Sequence, residues 1–174
     1  MSNVITGLFI IAILLSGVMM LSQAGIVSLR QTVDAWDGLQ TRQSAILLTR
    51  LGVADTKHTP PQVDITLQNT GQVHMGSFSA WDVFVQYYTP AGVYYIKRLT
   101  YTTASSPGNN EWTVKGIYID EDANTAEIFQ PGIFDPAEYL VVRMSLSPSA
   151  RTSQVNYATI AVPNGVTVST TFKN

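Results

Sequence analysis

The segment Val4–Leu29, VITGLFIIAILLSGVMMLSQAGIVSL, contains no charged residue and lies near the N-terminus of the 174-residue sequence. At ~1.5 Å rise per residue, a helix of this length spans roughly 39 Å, which exceeds the ~30 Å hydrocarbon thickness of a bilayer. Such a helix has to be buried in lipid or against other protein. The segment therefore predicts a long apolar N-terminal helix, and the rest of the chain is interpreted from it.

Two common types of N-terminal apolar segment match this one poorly. A cleavable signal peptide has a basic start and a shorter apolar stretch of ~7–15 residues, and residues 1–3 carry no Lys or Arg. An anchor that obeys the positive-inside rule has basic residues on its cytoplasmic flank, whereas the nearest one here, Arg30, follows the apolar stretch. A basic leader removed from in front of Met1 would restore that asymmetry, a hypothesis that the upstream codons would test.

The helix is predicted to continue beyond its apolar part. Residues 30–51 contain no proline and keep apolar residues at helical spacing, with Leu29, Val33 and Trp36 along one stripe. Gly52 is a natural C-terminal stop. The sequence thus predicts one helix over residues 1–52.

A linker and an outer domain are predicted to follow the helix. Residues 53–61 end in Pro60-Pro61, and proline is incompatible with a helix interior, so we expect a linker there. Residues 62–174 change to a period of two, as in Val63, Ile65 and Leu67, which is typical of strands. The other strand candidates are Val83–Gln86, Val93–Tyr101, Trp112–Ile119, Glu138–Ser147, Gln154–Val162 and Val166–Phe172.

About seven strands without an intervening helix favour an immunoglobulin-like β-sandwich. The predicted fold class is therefore α+β, with a long hydrophobic helix followed by an all-β domain. Zero cysteines exclude a disulfide framework, and a net charge of −2 with 13% charged residues argues against nucleic acid as a partner.

Enzyme chemistry has little support in the sequence. The two histidines are His58, in the predicted linker, and His74, and no G-x-S-x-G, H-E-x-x-H or phosphate-binding glycine loop is present. We predict no catalytic residues, no cofactor and no small-molecule substrate.

An acidic cluster gives a weak candidate for calcium. Asp120, Asp122 and Asn124 imitate the first half of an EF-hand loop, but Thr125 replaces the glycine at the sixth position and Pro131 replaces the glutamate at the twelfth. An exposed hairpin tip is the better interpretation.

Aromatic residues crowd two consecutive strand candidates. At Tyr87/Tyr88 and at Tyr94/Tyr95, neighbouring rings must point to opposite faces of a strand, so one ring of each pair points outward. Outward rings are typical of subunit contacts or of a sugar-binding surface, and we favour subunit contacts.

Several short motifs in fixed order carry a resemblance to a known family. They are the uncharged helix, Val63–Gly71 (VDITLQNTG), Trp81–Val85 (WDVFV), Pro131-Gly132 before Glu138–Val142 (EYLVV), and Val162–Gly165 (VPNG). In this order the chain resembles the archaellin and type IV pilin superfamily, specifically archaellins and their archaellar stator relatives. Ile5 stands where bacterial type IV pilins typically carry a glutamate, and in this respect the chain resembles archaellins. An insert separates Pro131-Gly132 from Glu138, which is a departure from the family pattern.

The resemblance implies a structural subunit of an extracellular, archaellum-like filament that serves motility. It implies insertion in the membrane before assembly, extraction by an ATP-driven assembly platform, and a helical homopolymer coated by the β-sandwich. Small residues let such helices pack closely. The predicted filament core consists of Gly7, Leu8, Phe9, Ile10, Ile11, Ile13, Leu14, Leu15, Gly17, Val18, Leu21 and Gly25. Trp36 and Leu39 are predicted to pack the helix against the sandwich or a neighbouring subunit.

Two alternatives share the same helix and sandwich. One is a membrane-anchored archaellar stator-type subunit that binds an envelope layer, and the other is an adhesive type IV pilin. The sequence leaves all three open.

Overall fold

The computed structural model describes residues 2–173, and of these the side chains of residues 5–23 and 25–173. Met1 and Asn174, the outer limits of the predicted domains, lie outside the described residues, as does the side chain of Val4 at the start of the apolar segment. The chain divides into two units, Met1–Ser44 and Ala45–Asn174. The second unit is called the β domain below.

One helix, α1, runs over Ser2–Leu48. Its end is four residues before the predicted stop at Gly52, because the chain enters a strand at Leu51. Among the described residues, α1 is long and apolar enough to cross a membrane, over Ile5–Leu48. The predicted long N-terminal helix is confirmed.

The β domain contains eight strands in the described part of the chain. They are β1 Leu51–Thr59, β2 Gln62–Asn69, β3 Asp82–Tyr88, β4 Tyr94–Tyr101, β5 Glu111–Tyr118, β6 Tyr139–Ser145, β7 Asn156–Ala161 and β8 Thr167–Phe172, with a 3-10 turn at Phe78–Ala80. The predicted fold class, α+β with an all-β sandwich after a long helix, is confirmed.

The strands follow the order β1-β2-β6-β5-β4-β3-β7-β8. All neighbours are antiparallel except β4 and β5, which pair in parallel over two residues, Thr100 with Glu111 and Tyr101 with Trp112. This short pairing joins two four-stranded layers. The outer strands β1 and β8 come together on the other side, where the hydroxyl oxygens of Thr56 and Thr170 are 3.3 Å apart. The sandwich is therefore almost closed into a barrel.

The core lies between the two layers and follows the alternation of the strands. Fully buried side chains come from both layers, since inward residues recur at every second position. The largest are Trp112, Tyr87, Phe134, Ile65, Leu67, Leu140 and Met144.

The predicted linker over residues 53–61 is wrong. Most of it belongs to β1, which pairs with β2 from Leu51 opposite Asn69 to Thr59 opposite Gln62. The sequence shows no clear alternation for this strand, which lies at the edge of a layer. Only His58 is buried, and the other residues of the strand stay partly or fully exposed. Pro60-Pro61 forms the turn between β1 and β2 instead of ending a linker.

Candidate functional site: helix α1 and its seat

Most of the described apolar side chains of α1 are exposed in the single chain. The described residues predicted to form a filament core, Leu8, Phe9, Ile10, Ile11, Ile13, Leu14, Leu15, Val18 and Leu21, are 54–75% exposed in the single chain. The hydroxyl of Ser16 donates to the carbonyl oxygen of Ala12 at 2.9 Å, so this polar group is satisfied within the helix. The segment is thus suited to lipid or to other helices.

The three glycines of this segment leave open space beside the helix. A Cβ atom at Gly7, Gly17 or Gly25 would meet no heavy atom within 4 Å outside the local helix backbone. The side chains of Trp36 and Leu39 are also exposed. Close helix packing at the glycines, and packing of Trp36 and Leu39 against the sandwich or a neighbouring subunit, therefore stay predictions.

The C-terminal end of α1 belongs to the β domain and is held by the turn that follows β2. The amide of Gln72 donates to the carbonyl of Leu48 at 2.8 Å, and the amide of Thr70 donates to the carbonyl of Arg50 at 3.0 Å. Carbonyls at the end of a helix lack intrahelical partners, and the bond from Gln72 satisfies the last one, that of Leu48. We call this contact the helix seat, formed by Ala45–Arg50, Asn69–Gln72 and Asn164.

Gly71 allows the closest approach within the helix seat. A Cβ atom there would lie 2.5 Å from the amide nitrogen of Arg50 and closer still to the carbonyl oxygen of Leu48. Both atoms belong to backbone and cannot rotate away. Only glycine therefore fits this position without displacing the chain.

Asn164 holds the helix end from the opposite layer. Its amide nitrogen donates to the hydroxyl of Thr49 at 2.7 Å, and that hydroxyl donates to the carbonyl of Ala45 at 2.6 Å. Asn164 lies in the β7–β8 hairpin, where Gly165 has a φ of 90°, a value that favours glycine. The VPNG motif thus places a side-chain donor beneath the last turn of α1.

Asn69 organises the other side of the helix seat and is completely buried. Its side chain donates to the carbonyls of Val73 at 2.9 Å and Phe134 at 3.2 Å, and accepts from the amide of Gly71 at 3.1 Å. Its backbone amide donates to the carbonyl of Glu138 at 3.1 Å. One side chain therefore joins the NTG turn to the long loop between β5 and β6.

The acidic candidate site forms an exposed turn after β5. The carboxylate of Asp120 accepts from the amides of Asn124 at 3.0 Å and Thr125 at 2.6 Å, and these bonds lower the pKa of Asp120. The predicted exposed tip is confirmed. Among the described residues there is no group of three or more His, Cys, Asp or Glu arranged to hold a metal ion, and calcium binding by Asp120, Asp122 and Asn124 stays untested.

The fold is similar to that of an archaellum periplasmic stator protein. The structure of the archaellum periplasmic stator protein FlaG from Sulfolobus acidocaldarius matches with a TM-score of 0.51 and 22% identity, over 72% of this chain and 100% of that chain. A chain from the complex of the stator proteins FlaF and FlaG, from the same organism, matches with a TM-score of 0.50 and 24% identity, over 72% of this chain and 90% of that chain.

At this level of identity the likeness concerns the fold. The sequence matches no protein-family model, and no curated protein is significantly similar to it. The architecture expected from the short motifs is thus found in solved archaellum structures, whereas membership of the archaellin and pilin superfamily stays an expectation.

The two histidines lie in unlike surroundings. The Nδ1 atom of His74 is 2.5 Å from a carboxylate oxygen of Asp135 at the surface. His58 is 6% exposed, packs edge-on against Phe172 with ring centroids 5.2 Å apart, and has no hydrogen-bond partner for either ring nitrogen among the described residues. Burial lowers the pKa of His58 below 6.5 because the interior disfavours the charged ring. Sequence reasoning missed this residue, since it was assigned to a linker.

We expect the β domain to become less stable as the pH is lowered, because of His58. The folded state keeps this ring neutral, so its contribution is complete above pH 6.5 and is lost as the pH falls from 6.5 towards the lower folded-state pKa. His58→Phe, which preserves the ring contact with Phe172, should reduce the loss of stability between about pH 7.5 and about pH 5. Urea unfolding at both pH values measures this.

His74→Gln is the matched control, because it removes the other histidine and leaves His58 in place. If His58→Phe retains the full pH dependence of the wild-type chain, His58 is not its source.

Proposed function

We propose that this protein is a non-enzymatic, membrane-anchored subunit of a cell envelope, with a stator-type role in an archaellum-like motility machine. In this proposal α1 crosses the membrane and the β domain works outside it, in contact with other envelope proteins. The partners are protein and lipid, without nucleic acid or a small-molecule substrate.

The observation that carries the proposal is the fold likeness to FlaG, which extends over the whole of that solved chain. That solved chain is a periplasmic stator protein of an archaellum. A second solved chain of the same kind comes from a complex with another stator protein, which supports protein partners for this fold.

The anchor helix gives independent support for a membrane location. Each buried Leu, Ile, Phe or Met side chain contributes about 1.5–3 kcal/mol relative to water, and nine predicted core residues of α1 are exposed in the single chain. Lipid covers this surface without any other subunit. Within the β domain, the helix seat holds the last residues of α1 through backbone hydrogen bonds.

The filament subunit remains the competing function, because a bundle of like helices would cover the same surface. The two functions differ in where the protein is found. An anchored subunit stays in the membrane and envelope fraction after the cells are sheared, whereas a filament subunit is the main protein of the sheared fibres.

We therefore expect the protein in the membrane fraction of sheared cells, and absent as a major component of the fibres. Gly17→Leu sharpens this test, because lipid accommodates an added apolar side chain whereas closely packed helices do not. Membrane retention of Gly17→Leu should equal that of the wild type. Recovery of the wild-type protein as the principal fibre protein, together with loss of fibres in Gly17→Leu, would replace the stator proposal with the filament.

A further inference from the structure

The outer face of β3, β4 and β7 is unusually apolar for the exposed side of an antiparallel layer. Such a face normally carries polar residues, since only the opposite face contacts the core. Here five large apolar side chains on these strands are 37–64% exposed. We call this surface the aromatic face; its members are Phe84, Tyr88, Tyr94, Ile96 and Tyr157.

Strand register brings these residues together. Tyr88 pairs with Tyr94, and Gln86 pairs with Ile96 on one side and with Tyr157 on the other. The rings of Tyr88 and Tyr94 are 4.9 Å apart, and the hydroxyl of Tyr94 donates to the side chain of Gln86 at 3.0 Å. The inner rings Tyr87 and Tyr95 stack on the opposite side at 5.8 Å, so the predicted outward ring of each tyrosine pair is confirmed.

The size of the aromatic face matches one half of a protein interface. An aromatic side chain presents about 150–250 Å² when fully exposed, and four such residues here are 37–52% exposed. Together with Ile96, the face presents on the order of 400–500 Å², which is large for a patch on a monomer and close to the ~500 Å² per partner that a specific interface requires.

The charges on this face favour a second copy over a charged partner. The outward positions of β3, β4 and β7 carry one acidic and one basic residue, Asp82 and Arg98, whose side chains are 2.5 Å apart. Lys97 points the other way and donates to the carbonyl of Ser147 at 2.6 Å. Because the face is neutral, two copies would meet without like-charge repulsion, and a strongly charged partner would find no complementary charge.

We propose that the aromatic face is a homodimer interface, on which two β domains pack face to face around a two-fold axis near Gln86. An isologous contact of this kind buries the same residues of both copies. Rigid tyrosine rings supply contact area at low conformational cost. The interface is independent of whether α1 ends in a membrane or in a filament.

Chemical cross-linking of the full-length protein in membranes tests the proposal, since the chain contains no cysteine. Gln86→Cys places a thiol at the centre of the aromatic face. Packed layers lie ~10 Å apart, which is too far for a direct disulfide, so a short bis-maleimide reagent is the probe. We expect Gln86→Cys to give a cross-linked dimer.

Lys115→Cys is the matched control, because Lys115 is exposed on β5 in the other layer. It reports contacts caused by crowding or by the helices, and should give several-fold less dimer than Gln86→Cys. Equal yields at both positions, or no dimer at Gln86→Cys, would overturn the proposal.

Ile96→Glu added to Gln86→Cys provides the second arm. Ile96 is 64% exposed in the single chain, so the domain should keep its unfolding midpoint. A charge buried in a packed interface should lower the dimer yield by about tenfold or more. An unchanged dimer yield in this double variant would also overturn the proposal. The proposal would equally be wrong if the protein were monomeric and its aromatic face bound an envelope polysaccharide.

Discussion

Gly71→Ala is expected to destabilise the β domain by roughly 3 kcal/mol or more, because the new Cβ would overlap backbone atoms that have no freedom to move. The atoms are the carbonyl oxygen of Leu48 and the amide nitrogen of Arg50. Displacing this segment would break the hydrogen bonds from Gln72 to the carbonyl of Leu48 and from Thr70 to the carbonyl of Arg50. The end of α1 would then separate from the β domain.

Denaturant unfolding of the full-length protein in detergent measures this effect. Near-UV circular dichroism reports the β domain, because Trp81 and Trp112 are buried in its core. Gly132→Ala is the matched control, since a Cβ at Gly132 meets nothing within 4 Å, and it should change stability by less than about 0.5 kcal/mol. Similar unfolding midpoints for the two variants would show that the helix seat tolerates a side chain.

The second large effect is expected at Asn69. Asn69→Leu keeps the size of the side chain and removes two donors and one acceptor from a completely buried position. The carbonyls of Val73 and Phe134 and the amide of Gly71 would lose their side-chain partner. Each unsatisfied buried group costs about 1–3 kcal/mol, so we expect a loss of roughly 3–5 kcal/mol.

The same unfolding experiment, with Asn124→Leu as control, checks this prediction. Asn124 is exposed at the acidic tip, and its side chain makes no contact with the helix seat. We expect a change within about 0.5 kcal/mol for that control. Hydrogen exchange adds a local measure, because the amide of Gly71 should lose protection in Asn69→Leu. Retained protection would mean that another group replaces the asparagine oxygen.

These two residues show how far a short motif can be interpreted. The sequence marks NTG as a turn after a strand, and the structure gives the glycine and the asparagine different tasks. Gly71 is required by a contact with Leu48, which is remote in sequence, and Asn69 by a contact with Phe134, 65 residues away. A local sequence pattern contains no information about contacts between residues so far apart in the chain.

Strand β1 is an element that the local sequence pattern does not predict. Its residues alternate weakly, because most of them are only partly buried, and the proline pair after it favours a linker. Pairing with β2 along its whole length makes it a strand nonetheless. His58 was consequently placed in a linker, although it is buried beside Phe172.

The sequence by itself determined the long apolar helix and the all-β domain, because both depend on the period and length of apolar residues that are neighbours in the chain. It also determined that one ring of each tyrosine pair faces outward, since successive side chains of a strand alternate. Tertiary structure alone decided the helix seat, the burial of His58 and the aromatic face. Each of these joins residues that lie far apart in the sequence, and their positions follow from strand order and register, which the local pattern leaves open.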